Sequence, residues 1–480
     1  MEATKPPLSR HFLPDRRTIW RWHFYAGLFC IPFVLWLAAT GSIYLFKPQI
    51  EAWFDRPYDN LLAQGASLAA PATQVEAALA AVPGSNLHFY ELARHAGSSP
   101  QIIVGKGEDE FRVYVHPGNA RVLHVVNEDE RLMKRIFRLH GELMAGDRGS
   151  LLVELAASWT IVMVLTGLVL WWPAQTERLA GVLYPRVGRS GRAFWRDLHS
   201  VTGLWVSGFA LFLLVTGLPW AKSWGSYFKK MRGAVSTVAV KQDWTTGRSS
   251  EIAQRVARNG GGSDMADHSM HSATPPRFGR KGRGRTGAPA PGAYAAIDRV
   301  IPAVLPLNLT YPVQISPPLK KGDPWTAKSD SQNRMLRDIY TIDGDSAAIL
   351  THDTFSDRPI VDRAVSIGIS AHEGQLFGFP NQLISLFTAS SLVLLAVSSV
   401  ILWWHRRPKG VLGAPVGLER PTLSLALVAL IVFMGVYLPM LGISIILLWL
   451  IERLLLRRLP GVGSWLGLRA TAEPAIFMRS

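Results

Sequence analysis

Four stretches of the chain, 24–46, 151–172, 200–221 and 381–404, run almost without charge. Each has roughly the 20 residues that a helix needs to cross a bilayer core. A further apolar run, 421–458, is too long for one crossing and carries Pro439 near its middle. Both its flanks are basic: Arg406, Arg407 and Lys409 precede it, and Arg453, Arg457 and Arg458 close it. A tight hairpin of two spans turning near Pro439 puts both flanks on one side and raises the expected total to six helices. Between the spans the period changes. Residues 73–82, TQVEAALAAV, read as a short helix, and 111–125 and 338–352 each read as two extended segments joined at a turn. The turns are Pro117-Gly118-Asn119 and Asp343-Gly344-Asp345. The pattern predicts a mainly α membrane protein with two small α+β modules in its long loops.

The pattern repeats. One unit of helix, long loop and helix covers about 21–173, and a second covers about 197–405. Two even-numbered copies in the same orientation are related by an axis along the membrane normal. His23 is followed at four, seventeen and eighteen residues by Gly27, Thr40 and Gly41; His199 is followed at the same offsets by Gly203, Thr216 and Gly217. His140, in HGELMAG, stands 31 residues before Trp171-Trp172, and His372, in HEGQLFG, stands 31 residues before Trp403-Trp404. A Gly-rich break separates each of these from its span, at Gly146-Asp147-Arg148-Gly149 and at Gly378-Phe379-Pro380. Each histidine of this second pair is therefore expected on a short interfacial segment folded back over the bundle.

Charge orients this pattern. The net charge is +16, and short basic segments belong on the cytoplasmic side. Arg10, Arg16, Arg17 and Arg21 mark the N-terminus, and Arg178, Arg186, Arg189, Arg192 and Arg196 mark the 174–198 connection. Membrane orientation accounts for much of the excess charge, so nucleic acid is not an expected partner. The loops 47–150 and 222–380 then lie outside. The first apolar stretch is too long for a cleaved leader, and no A-x-A site follows it cleanly, so it reads as a retained helix. The expected division is 1–46, cytoplasmic N-terminus and first span; 47–150, first module; 151–221, second and third spans with their connection; 222–380, second module; 381–410, fourth span; 421–458, hairpin; and 459–480, cytoplasmic tail. Residues 259–292, rich in Gly, Ser, Pro and Arg, read as a solvated linker. Its Met265, His268, Met270 and His271 are incidental on that reading, with copper binding as the alternative. Gly282, Gly284 and Gly287 match a dinucleotide fingerprint only in spacing, with no strand before them and no helix after.

The histidines carry the candidate chemistry. A single histidine at a helix end is simply explained as a cap or a headgroup contact, but four at repeated offsets suggest two bis-histidine haems. Topology pairs His23 with His199 inside and His140 with His372 outside, one ligand from each copy. Gly27 and Gly203 lie one turn from their histidines on the same helix face, where a missing side chain leaves room for a porphyrin. Close helix packing is the competing account of those glycines. The sole cysteine, Cys30, and the absence of C-x-x-C-H exclude covalent haem attachment and an Fe–S cluster. The expected cofactor is thus haem b, two per chain. Arg21 or Arg196 could pair with the inner propionates and Arg138 or Arg363 with the outer. Glu154 is the main carboxylate within a span, poor support for an ion channel.

WHFYAGL at 22–28, LHGEL at 139–143, DLHSVTGLW at 197–205, AHEGQLFG at 371–378 and the span ends WW-P and WW-H-RR-P together resemble the PepSY-associated transmembrane proteins. These include the ferric-siderophore reductases of the FoxB type and PiuB-like iron-uptake proteins. The resemblance covers most of 17–410. It implies a four-helix haem-binding bundle with PepSY-like periplasmic modules, in a multi-pass protein of the bacterial inner membrane. It makes His23, His140, His199 and His372 the axial ligands. It implies a b-type reductase that carries electrons outward and releases iron from a ferric chelate. No nicotinamide or flavin domain is legible, so the donor is another protein, a soluble reductant or quinol. Basic residues of the second loop, Lys320, Lys321, Arg334 and Arg337, could steer an anionic chelate. The other readings are a haem-free permease or regulatory protein, and a dihaem cytochrome serving copper or another partner. Catalytic residues other than the ligands are not legible.

Overall fold

A computed structural model describes residues 14–63, 66–172, 179–188, 190–235, 244–259, 292–320, 322–415 and 423–468. In chain order it contains α1 (Arg16–Tyr44), α2 (Lys47–Asp55), α3 (Pro71–Ala81), β1 (Asn86–Glu91), β2 (Gln101–Lys106), β3 (Asp109–Val115), β4 (Val122–Asn127), α4 (Leu132–Glu142), α5 (Gly146–Trp171) and α6 (Gly191–Gly217). There follow α7 (Lys222–Val235), α8 (Gly247–Arg258), α9 (Ile297–Val304), β5 (Val313–Ser316), β6 (Trp325–Ser329), β7 (Ile339–Ile342), β8 (Ile349–Asp353), α10 (Ile360–His372), α11 (Phe379–Arg406), α12 (Leu425–Tyr437) and α13 (Pro439–Leu454). These form two compact units. One comprises Met1–Ser42, Arg148–Tyr227 and Ser385–Ser480, the other Ile43–Asp147 and Phe228–Ile384. The Met265–His271 segment, the glycines of its fingerprint-like spacing, Lys321, Arg10, Arg178 and Arg189 lie outside the described residues.

Among the described residues four helices are long and apolar enough to cross a membrane: Arg16–Tyr44, Gly146–Trp171, Gly191–Trp220 and Phe379–Arg406. Within the first unit their buried faces are made of small side chains, including Ala26, Cys30, Ala156, Ser158, Val206, Ser207, Ala210, Ala389, Ala396 and Ser398. Small residues let helix backbones approach where lipid tails offer no hydrophobic contrast. Large apolar side chains such as Trp36, Trp205, Phe209, Phe212 and Trp404 are turned outward. Hydroxyls inside the spans return to their own helix: Thr160 Oγ1 donates to Ala156 O at 2.7 Å and Thr216 Oγ1 to Phe212 O at 2.7 Å. Glu154 accepts from the backbone N–H groups of Ser223 at 2.9 Å and Trp224 at 3.0 Å, so its carboxylate serves the start of α7.

The last apolar run does turn at Pro439, but it does not supply two full spans. Its arms, α12 and α13, have 13 and 16 residues and meet at 120°. At 1.5 Å per residue they reach only about 20 and 24 Å, short of the roughly 30 Å hydrocarbon layer. The arms touch through glycine. A Cβ on Gly442 would lie 2.5 Å from Gly435 O, and one on Gly435 3.2 Å from Gly442 Cα. Trp224 Nε1 donates to Tyr437 O at 3.0 Å, and Trp159 Nε1 to Ser444 Oγ at 3.0 Å, which ties the hairpin to α7 and α5.

In the second unit the two expected modules are one structure. Each copy contributes four strands rather than a single hairpin, and all eight form a single antiparallel sheet of order β4-β3-β2-β1-β5-β6-β7-β8. The copies join edge to edge through Tyr90↔Ile315 and Glu91↔Gln314. One core serves both. α3 contributes Val75 and Ala78 and α9 contributes Ile297, Val300, Ile301 and Val304, against Val113, Val115, Ile315, Ala327 and Ile342 of the strands. Pairing through β1 and β5 removes two open sheet edges that separate modules would expose. The hairpin turns are equivalent in the register of the 111–125 and 338–352 segments, which moves the first turn triplet by one to begin at His116: His116 N bonds Arg121 O and Asp343 N bonds Ala348 O. His116 Nδ1 and the Asp343 carboxylate cap the following turn amides, and Ala120 and Ala347 each take a left-handed backbone.

α8, within the long second loop, is clamped to copy one by ions. Arg255 reaches Glu110 at 3.0 Å, Asp129 at 3.0 Å and Glu251 at 2.8 Å; Arg248 also pairs with Asp129. Beside it, Arg112 pairs with Glu128 and lies 3.4 Å from Glu91, while Arg131 lies 3.3 Å from Glu51 and Glu128. Burial pushes the Glu128 carboxyl up, but Arg112 and Arg131 outweigh it and hold it at about 2.

Candidate functional site

His23 is eight residues into α1 and His199 nine into α6. Their ring centres stand 6.5 Å apart and their planes are almost perpendicular, at 83°. Each ring is held from behind by a different helix. His23 Nδ1 lies 2.9 Å from Met163 O and 3.2 Å from Thr166 Oγ1 of α5. His199 Nδ1 lies 3.0 Å from Ser398 Oγ of α11 and is also bonded to the backbone of Leu395. The supports are themselves repeat-related: Thr166 and Ser398 stand five residues before Trp171 and Trp403, and Met163 and Leu395 stand eight before them. A hydrogen bond at Nδ1 fixes ring orientation and leaves Nε2 as the coordinating nitrogen.

Two imidazoles bound through Nε2 on opposite sides of one metal, at metal–nitrogen distances of about 2 Å, have ring centres roughly 6 Å apart. The observed spacing admits one metal atom between the rings. Gly27 and Gly203 are not required by packing: a Cβ there would make only ordinary contact, 3.8 Å to Met163 Sδ and 3.7 Å to Leu395 Cδ2. Gly167 is the tight position. A Cβ on it would lie 3.1 Å from His23 Cε1, so a larger residue would press on the ring.

The second unit brings His140 and His372 together in the same way, with ring centres 6.4 Å apart at 71°. His140 is near the end of α4 and His372 is the last residue of α10. Both short helices exist, as the Gly-rich breaks imply, but the first break is shorter than the sequence suggests. Asp147, Arg148 and Gly149 are already helical in α5. The chain reverses instead through left-handed Leu143 (φ 50°), Met144 (φ 57°) and Gly146 (φ 59°). In copy two Gly374 (φ 72°) and Gly378 (φ 62°) do this work, and Gly378 matches Gly146 in place and conformation. Gln375 Nε2 and Gln382 Nε2 both donate to Leu45 O, at 3.1 and 2.9 Å, and anchor the residues after His372. Phe137, one turn before His140, packs on Tyr44 with ring centres 5.9 Å apart.

The PepSY-associated TM region matches residues 20–406. The chain belongs to this family. The match takes in both copies of the repeat and all four histidines, and leaves the α12–α13 hairpin outside. No curated protein matches the chain.

Most accessory residues of this PepSY-associated protein are engaged elsewhere. Arg21 donates to Pro415 O at 2.7 Å and Gly467 O at 2.8 Å, Arg196 to Asp197 at 3.0 Å, and Arg138 lies 3.7 Å from Glu142. Arg363 lies over the Phe355 ring at 5.5 Å. Two of the basic residues expected to steer an anion do not form a free surface: Arg334 is only 6% exposed, and Arg337 donates to Ser331 O at 2.6 Å and lies 3.5 Å from Asp330. His88 is buried between Glu110 at 2.7 Å and Asn259 at 2.8 Å, and His352 stacks on Tyr340 at 4.0 Å, both structural roles. Among the described residues no group of three or more His, Cys, Asp or Glu side chains comes together to hold a metal ion. The supports Thr166 and Ser398, and Gly167, were not read from the sequence. The signal for the two hydroxyls is their constant offset from the Trp pairs; Gly167 has Ser399 at the equivalent place and leaves no repeated mark.

Proposed function

We propose that this multi-pass membrane protein is a dihaem b-type cytochrome, with one haem held by His23 and His199 and the other by His140 and His372. The observation that carries the reading is the pairing itself. Two pairs, each with one histidine from each copy, face one another at 6.4–6.5 Å. A site with two protein ligands needs a group that supplies the remaining coordination, and a haem held by the two histidines of each pair would meet that need. When bound, haem would contribute one-electron carriage. Ligation by two histidines leaves no open iron position, which favours electron transfer over oxygen activation. The chain's own residues orient the imidazoles through Thr166, Met163 and Ser398, and Gly27 and Gly203 leave the adjoining helix face open.

On this reading the protein is a transmembrane ferric-chelate reductase of the FoxB type in the bacterial inner membrane, with its N-terminus in the cytoplasm. A quinol or a cytoplasmic donor would supply the electrons, and a ferric siderophore outside would accept one, its Fe(III) becoming Fe(II) with weaker hold on its chelator. Support comes from the histidine pairs, the basic short segments and the family. A pyridine haemochrome assay on fully loaded protein should give two haems b per chain, and His199→Ala should remove one while His372→Ala removes the other. A haem-free protein would favour a permease or regulatory role. Dithionite-reduced protein mixed anaerobically with ferric siderophores should reoxidise and release chelatable ferrous iron. Reoxidation no faster than in buffer, yet fast with a quinone or a copper complex, would leave the cytochrome and remove the siderophore.

A further inference from the structure

The first unit contains a cavity of about 770 Å³ that the electron-transfer reading does not use. It is an open cavity that lies where α1 begins and where α5 and α11 end, bordered by Pro408, Val411 and 413–415 and by Ser464, Trp465 and Gly467. Arg16, Arg17 and Arg406 line it together with Trp20 and Trp465. Among the described residues that line it there is no Asp or Glu. The nearest acid in sequence, Asp15, is turned to its own helix start, where it accepts from Thr18 Oγ1 at 2.7 Å and from the amides of Arg17 at 2.9 Å and Thr18 at 3.0 Å. The arginines instead meet backbone carbonyls and rings. Arg16 donates to Leu170 O at 2.6 Å and Trp172 O at 2.9 Å, and Arg406 donates to Gly413 O at 3.1 Å while lying over Trp20 at 4.3 Å. Arg16 and Arg406 thus meet neutral partners in these bonds, and three guanidinium groups line one cavity. Trp20 and Trp465 are 39% and 48% exposed, so the same cavity has apolar walls.

We propose that this cavity binds an amphiphilic phosphate, with the phosphate on Arg16, Arg17 and Arg406 and the apolar part between Trp20 and Trp465. A volume of this size suits a whole ligand rather than a bare ion. Guanidinium groups pair phosphate oxygens two at a time, and indoles favour the boundary between headgroup and hydrocarbon. The chemistry is that of an anionic phospholipid, and a free phosphate could occupy its polar half.

The test uses the full-length protein in phosphatidylcholine nanodiscs with and without phosphatidylglycerol, and detergent-solubilised protein with inorganic phosphate. Wild type should retain phosphatidylglycerol through detergent exchange, counted by mass spectrometry. Arg17→Gln and Arg406→Gln should each retain about tenfold less, the loss of roughly one charge-assisted contact. Trp465→Ala, which keeps every charge, should also lose lipid but not a thermal shift induced by inorganic phosphate. A phosphate-induced shift that the arginine variants abolish, without lipid retention, assigns the site to free phosphate. Equal lipid retention and equal phosphate response in wild type and all three variants, each eluting as folded protein, overturns the proposal. None of these readouts depends on haem being bound.

Discussion

The hydrogen bond between His199 and Ser398 decides more than the orientation of one ring. If the imidazole coordinates through Nε2, Nδ1 carries the proton and donates to Ser398 Oγ across 3.0 Å. That bond makes the ligand a better electron donor and favours the oxidised metal. If the proposed haem is bound by His23 and His199, Ser398→Ala should raise its midpoint potential with little loss of haem, and Ser398→Thr should restore it; a redox titration reads both. A purely structural role would lower haem content without moving the potential. The histidines themselves were legible because repetition put the same residue at the same offset twice. Their supports were less so, because a hydroxyl inside a span ordinarily bonds its own helix, as Thr160 and Thr216 do.

At the scale of elements, the reversals after α4 and α10 hold the outer pair. Gly374 combines φ of 72° with no space for a side chain: a Cβ would lie 2.8 Å from Leu45 Cδ2. Gly374→Ala should cost about 1–3 kcal/mol in backbone strain and overpacking. It should displace His372 and lower outer haem occupancy in the reduced spectrum, with the inner haem retained. The terminal hairpin gives a second test. Gly442→Leu would drive a side chain into Gly435 O and should open the α12–α13 turn, seen as new protease cleavage near Pro439 or as a lower melting temperature. The sequence showed the hairpin and its turning residue, yet it read each arm as a full span. Apolar length alone does not distinguish two crossings from two short arms; the glycine contact and the 120° bend do.

At the scale of the whole molecule, stability outside the spans leans on buried ion pairs. The Glu128 carboxyl is held at about 2 against an ordinary value of 4.5, so its contribution is complete above about pH 5 and is lost as pH falls from 4.5 towards 2. Melting temperature should fall across that window, and Glu128→Gln should be less stable at neutral pH and less sensitive to acid. Arg112→Ala, which removes the guanidinium beside Glu91 and leaves Glu128 with Arg131, should cost about 3–5 kcal/mol. Hydropathy by itself determined the four long spans, because water-to-lipid transfer acts on each apolar residue locally. Repetition determined the two copies and the pairing of the histidines. Only tertiary structure decided that the two expected modules share one eight-stranded sheet and one core, that α8 is clamped to copy one through Asp129 and Glu110, and that three arginines line an open cavity with two indoles. Those outcomes depend on contacts between residues far apart in sequence: the edge pairing of Tyr90 with Ile315 and the reach of Arg255 to Glu110 leave no periodic mark on the chain.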